Sequence, residues 1–278
     1  MIPKIPLDEW VETAVETLDE NLSFIFDPLE SGIEGIVDFF SVIFHFPPAL
    51  VIIVILTGLA YWFLRWPLAL FTGLGLLLVY NLGHWEHTMD TLALVITSSV
   101  FCMVIGIPLG ILCARNSKIM NILTPVLDFM QTMPAFVYLI PAVTFFGLGV
   151  VPGVIASVIF AVPPTIRLTN LGIRQVPADL VEASDAFGST PMQKLLKVQL
   201  PLAMPSILAG VNQTIMLALS MVVIASMIGA QGIGADVYRA VTQVKIGAGF
   251  EAGLAIVILA ILLDRLTQNI IKPSKGRG

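Results

Sequence analysis

Thirty-eight consecutive residues, from Phe129 to Ile166, carry no charged side chain. A water-facing domain draws about a quarter of its residues from the charged types. This chain has 12% charged and 57% apolar residues with a mean hydropathy of +0.94, too few charges to cover a wetted surface. The solvent it suits is a bilayer, where a backbone that cannot hydrogen-bond to water must satisfy itself as helix. Further uncharged runs are Phe46–Leu64 and Trp66–Gly83, meeting at Arg65, then Thr91–Ala114, Ser206–Ile228 and the short Ala252–Leu263. About 20 helical residues cross the hydrocarbon core, so the longest run must be cut in two. The segment Gly147-Leu148-Gly149-Val150-Val151-Pro152-Gly153 supplies the cut, because Gly and Pro end helices. The last run crosses if Glu251, Asp264 and Arg265 sit at the interfaces, where arginine can snorkel. The expectation is an all-α, polytopic membrane protein with about seven transmembrane helices. A net charge of −5 argues against nucleic acid as a partner.

Cys102 and Cys113 would lie about 16 Å apart along one helix, beyond disulfide reach. The acids among the first twenty residues, against Lys4 alone, have the wrong sign for a cleavable signal. Alternating through seven crossings from an outside N-terminus leaves Arg65, Arg115, Lys118, Arg167, Arg174, Lys194, Lys197, Arg265, Lys272, Lys275 and Arg277 inside. Only Lys4, Arg239 and Lys245 fall outside, so the positive-inside rule predicts N-out, C-in. Residues 1–45 form an acidic head in which Leu7, Trp10, Val11, Ala14, Leu18 and Leu22 keep helical spacing. Its sign disfavours adsorption to anionic lipid, so it is expected along the membrane edge or against its own bundle.

The inner loop, residues 167–205, is the most informative stretch. Pro177 can open a helix, Ala178 through Phe187 suit one, and Gly188 ends it. Thr190, Pro191 and Gln193 then read as N-cap, first helical position and capping box. A short helix of small residues ended by Phe187 is either a connector lying on the bilayer or a knob for a groove in a cytoplasmic partner.

Glu182-Ala183-Ser184-Asp185-Ala186-Phe187-Gly188, then nine residues, then Val198-Gln199-Leu200-Pro201, resembles the "EAA" signature of ABC-importer permeases, with Ser184 and Val198 as mild departures. The resemblance covers roughly residues 88–271. Asp128 through Pro141, followed by Phe146-Gly147, is similar to the glycine betaine/proline betaine branch of that family, as is the long acidic head. The resemblance implies a type I ABC-importer transmembrane domain acting as a homodimer in the bacterial inner membrane. It implies two ATP-binding cassette subunits docked at Glu182–Gly188 with Leu200 and Pro201, and an external solute-binding protein. Residues 46–87 would be two peripheral helices and 272–278 a basic cytoplasmic tail. No G-x-x-x-x-G-K-[ST] loop is present, so ATP would be used by the partner and no cofactor is expected on this chain. No binding domain is expected to be fused after Gly278.

Several residues keep two readings. Glu182 could reach the ATPase or simply be solvated, and Asp128 could sit at the interface or serve the path. Pro134 and Pro141 would kink one span, lining a path or merely packing. Asn212, Gln213, Thr214 and Ser220 stripe another span, for helix–helix hydrogen bonds or for solute passage. His84-Trp85-Glu86-His87 fits an outer interfacial belt better than a metal site, since two histidines without further ligands are too few. Four Trp and four Tyr, scattered, are a thin supply for a cation–π cage, which places selectivity in the external binding protein. The resemblance leaves choline, carnitine or an amino acid as alternative solutes. An ion-coupled carrier needs intramembrane ion sites that these uncharged spans lack, and no catalytic constellation suggests an enzyme.

Overall fold

The computed structural model describes residues 6–64 and 66–271. Among them every regular element is helical. They are α1 (Leu7–His45), α2 (Ala49–Leu64), α3 (Trp66–Asn81), α4 (Trp85–Arg115), α5 (Ser117–Thr132), α6 (Leu139–Phe146), α7 (Val150–Arg174), α8 (Ala178–Ala186), α9 (Pro191–Lys194), α10 (Leu200–Ala225), α11 (Ile233–Thr242) and α12 (Ile246–Ile271). Each of the six uncharged runs is largely helical, with breaks at residues 46–48, 133–134 and 147–149. By length and composition, Trp85–Arg115, Val150–Arg174, Pro191–Ile228 and Ile246–Gln268 can each cross a membrane alone. Two bent pairs raise the number to six, and α3 is a shorter apolar helix beside them.

The core is the mutual packing of α4, α7 and α10. Small residues bring these backbones together: Gly106 and Gly110 of α4 face Thr165 and Thr169 of α7, Gly172 of α7 faces Ser206, and Gly210 of α10 faces the Pro164 carbonyl. Close approach of this kind suits helices in lipid, where dispersion and hydrogen bonds replace the hydrophobic effect as the adhesive force. Pro163 and Pro164 sit inside α7 yet do not break it. Neighbouring side chains serve the carbonyls around them: the Cys102 thiol donates to Val158 O at 3.6 Å, and Thr214 Oγ1 donates to Ala161 O at 2.8 Å.

Both bent pairs turn at proline. The second half of α1 meets α2 at 97° across Phe46-Pro47-Pro48, and α5 meets the Ala135–Phe146 segment at 109°. The latter corrects the expectation of one kinked span holding Pro134 and Pro141. Met133 is extended (ψ 140°), the backbone that a following proline imposes, so Pro134 stands at a corner. Pro141 lies in the first turn of α6, where a missing N–H is tolerated. Tyr138 Oη donates to Met130 O at 2.5 Å across the corner.

The head is helical from Leu7 through Pro28 to His45. Its first turns expose Trp10, Val11 and Leu18. From Phe26 onward it docks on the bundle: that ring lies 4.9 and 5.3 Å from those of Phe145 and Phe146, and Ile33 and Val37 are buried. Residues 1–5, Arg65, the basic tail 272–278 and the side chains of Leu7, Ala14 and Leu22 lie outside what is described.

Candidate coupling loop and solute path

The loop is narrower than the charge pattern suggests. Arg167 lies within α7 and Leu200–Pro205 within α10, because both helices run past their apolar stretches. Pro177 is extended (ψ 132°) and caps α8 rather than forming its first residue. At the far end Gly188 adopts φ +71°, a left-handed conformation open to Gly at little cost. Its N–H donates to Asp185 O at 2.9 Å, and the Ser189 N–H to Ser184 O at 3.1 Å. That pair of bonds is a Schellman motif, which satisfies the orphan carbonyls of the helix end. Thr190 and Gln193 then form a reciprocal capping box with Pro191 at the first helical position. Lys194 Nζ reaches both Asp185 carboxylate oxygens, at 2.7 and 2.8 Å, and fixes α9 against α8. A π-helical turn, Leu195–Gln199, leads into α10, where Pro201 occupies the second position.

Within α8 only Ser184 is buried, its hydroxyl returning to Val181 O at 2.8 Å, which suits a position where the related signature carries Ala. Glu182, Ala183, Asp185 and Ala186 are exposed. Phe187 is 90% exposed, a large apolar ring presented on a rigid cap with no cover. Sequence reading missed what holds this unit to the bundle. Arg174 Nε donates to Asn170 Oδ1 (2.9 Å), and Nη2 donates to Cys113 O (2.9 Å) and Ser117 Oγ (3.2 Å), tying the end of α7 to the α4–α5 junction.

The polar stripe of α10 divides. Thr214 is buried and bonded to Thr165 Oγ1 at 2.7 Å, so it serves the α7 contact. Asn212 donates to Asp264 Oδ1 at 3.0 Å and accepts from Thr267, serving α12. Gln213 and Ser220, one face and two turns apart, remain exposed, and Ser220 Oγ donates only to Met216 O of its own helix. Asp128 pairs with Arg167 at 2.5 Å at the foot of α5 and α7, with both side chains partly exposed.

An all-helical bundle with proline-bent spans and a capped helix–turn–helix between two long crossings is the architecture of a membrane permease. It is similar to a solved structure of the MetNI methionine ABC transporter in an inward-facing conformation, with a TM-score of 0.62 and 24% identity over 67% of this chain and 93% of that one. Residues 106–273 match the family described as binding-protein-dependent transport system inner membrane component, and the chain belongs to that family. It is 54% identical to the glycine betaine transport system permease protein of Bacillus subtilis (strain 168), covering 100% of this chain and 98% of that protein. It is 56% identical to the glycine betaine/carnitine transport permease protein of Listeria monocytogenes serotype 1/2a (strain 10403S), with 99% coverage of both. The Escherichia coli (strain K12) glycine betaine/proline betaine permease protein is 49% identical over 99% of this chain and 77% of its own length. The chain is therefore a membrane-embedded transport subunit and not an enzyme, working with ATP-binding partners and a solute-binding protein.

Proposed function

We propose that this permease carries glycine betaine and chemically similar compatible solutes into the cell by alternating access. The observation that carries the reading is identity of about half over essentially the whole length to permeases named for glycine betaine. Two copies form the membrane unit, N-termini outside and C-termini inside. Each docks an ATPase through Glu182–Gly188, with Leu200 and Pro201 positioning the turn below α10. ATP is consumed in those partners, and this chain binds no cofactor. An external binding protein selects the solute and delivers it.

Gln213 and Ser220, with Pro134 and Pro141 at the bent segment, line the path, while Asn212 and Thr214 hold the helices around it. A betaine is a zwitterion without net charge. Uncharged polar groups can replace part of its hydration without an ionised partner that would trap it.

Competition of unlabelled solutes against labelled glycine betaine, in vesicles with the full transporter, tests the solute assignment. Betaines are expected to compete best and carnitine more weakly, with choline and amino acids ineffective. Label uptake that excess unlabelled glycine betaine leaves unchanged, or that methionine reduces more strongly than glycine betaine does, would overturn it.

A further inference from the structure

Two neighbouring histidines and one aspartate distant in sequence converge beside the first turn of α4, away from the coupling loop and the polar stripe. His84 is the residue before α4, His87 lies in its first turn, and Asp236 lies in the first turn of α11. Asp236 Oδ2 is 3.1 Å from His84 Nδ1 and 2.6 Å from His87 Nδ1. One ligand atom from each residue falls within 4.8 Å of the others.

The convergence is built by backbone. Gly232 adopts φ +127°, and a Cβ there would meet Thr91 Oγ1 at 2.5 Å. Thr91 Oγ1 accepts the Ile233 N–H at 2.9 Å and donates to His87 O at 2.8 Å. One turn back from Thr91 stands His87, and one turn on from Gly232 stands Asp236, so this lock sets their separation. Arg239 lies 3.5 Å from the other carboxylate oxygen, Oδ1, leaving Oδ2 to the histidines. The Asp236 and His84 side chains are 12% and 16% exposed, and that of His87, at 44%, opens the cluster to solvent.

We propose that His84, His87 and Asp236 form a binding site for a transition-metal dication, zinc above all. Two imidazoles and one carboxylate with a solvent-open fourth position match zinc in ligand type and number. Tetrahedral bonds of about 2.0–2.1 Å separate neighbouring ligand atoms by roughly 3.4 Å. The side chains reach that spacing by shifts of about 1 Å or less at each ligand atom. The bound ion joins the head of α4 to α11, which packs on α10 and α12. The site is independent of which solute the permease carries.

The test is calorimetric titration of zinc chloride into the full-length chain in detergent, with any affinity tag removed. The expected result is one saturable site per chain, with affinity falling at least about 10-fold in H84A, H87A and D236N. The His45 imidazole instead lies 3.3 Å from Asp90, so H45A is expected to keep the site. Zinc-edge X-ray absorption on the unsubstituted chain guards against misfolded variants and should show two imidazoles around the ion. No saturable binding, affinity unchanged in the H84A/H87A double variant, or an absorption shell without imidazole would each overturn the proposal.

Discussion

Gly188→Pro is expected to abolish ATP-driven uptake while leaving the membrane bundle folded. Proline fixes φ near −65° and has no N–H, whereas this position needs φ +71° and a donor to Asp185 O. The Schellman turn opens, the Asp185–Lys194 clamp loses its geometry, and Phe187 no longer stands where the cap holds it. Uptake in proteoliposomes is expected to fall to background, about 100-fold or more if two such anchors fail together. Phe187→Ala leaves every backbone bond in place and removes only the exposed ring, so it should cost about 30-fold, the scale of one interface anchor worth about 2 kcal/mol. Gly188→Ala is the milder control. No atom lies within 4 Å of its added Cβ, and left-handed strain of about 1–2 kcal/mol is its main cost. Unaltered uptake in both Gly188→Pro and Phe187→Ala would remove α8 from the coupling role.

The second large effect belongs to the core. At Gly110 an added Cβ would lie 2.5 Å from Thr169 Cβ and 2.8 Å from the Ile166 carbonyl oxygen. The helices are equally close one turn earlier, where a Cβ added at Gly106 would lie 2.8 Å from Thr165 Cγ2. Gly110→Ala should destabilise the protein by about 1–3 kcal/mol, the usual cost of overpacking, and Gly110→Leu should yield no monodisperse folded protein. Thr169→Ala does not rescue it, since Cβ and the backbone carbonyl both remain. Gly58→Ala, where no atom lies within 4 Å of the new Cβ, should melt at or above the parent temperature. Melting followed by size exclusion in detergent checks all four. Equal tolerance at positions 58 and 110 would contradict the close α4–α7 approach.

These cases show which parts of the structure are written locally. The spanning helices follow from uncharged runs because lipid demands internal backbone hydrogen bonding and the longer runs far exceed the length of a barrel strand. The Gly188 turn and the Thr190–Gln193 box are legible because their chemistry is contained within a few residues. The corner at Pro134 had a local signal, the restriction on Met133, but a continuous uncharged run disguised it as one crossing. Asn212 and Thr214 were visibly polar, yet the neighbour each one bonds depends on the rotation of α10 in the bundle. Asp236 lies 149 residues from His87 in sequence, and only the packing of α11 onto α4 reveals the pair. Arg174 looked like one more inner-loop charge until the α4–α5 junction was set beside it.

The most direct measurement is uptake of labelled glycine betaine into proteoliposomes holding this chain, its ATPase and its binding protein. Uptake that requires ATP inside the ATPase-accessible compartment, and that survives dissipation of sodium and proton gradients, is the expected result. Uptake driven by either gradient without the ATPase would contradict the assignment of this chain as an ATP-driven permease.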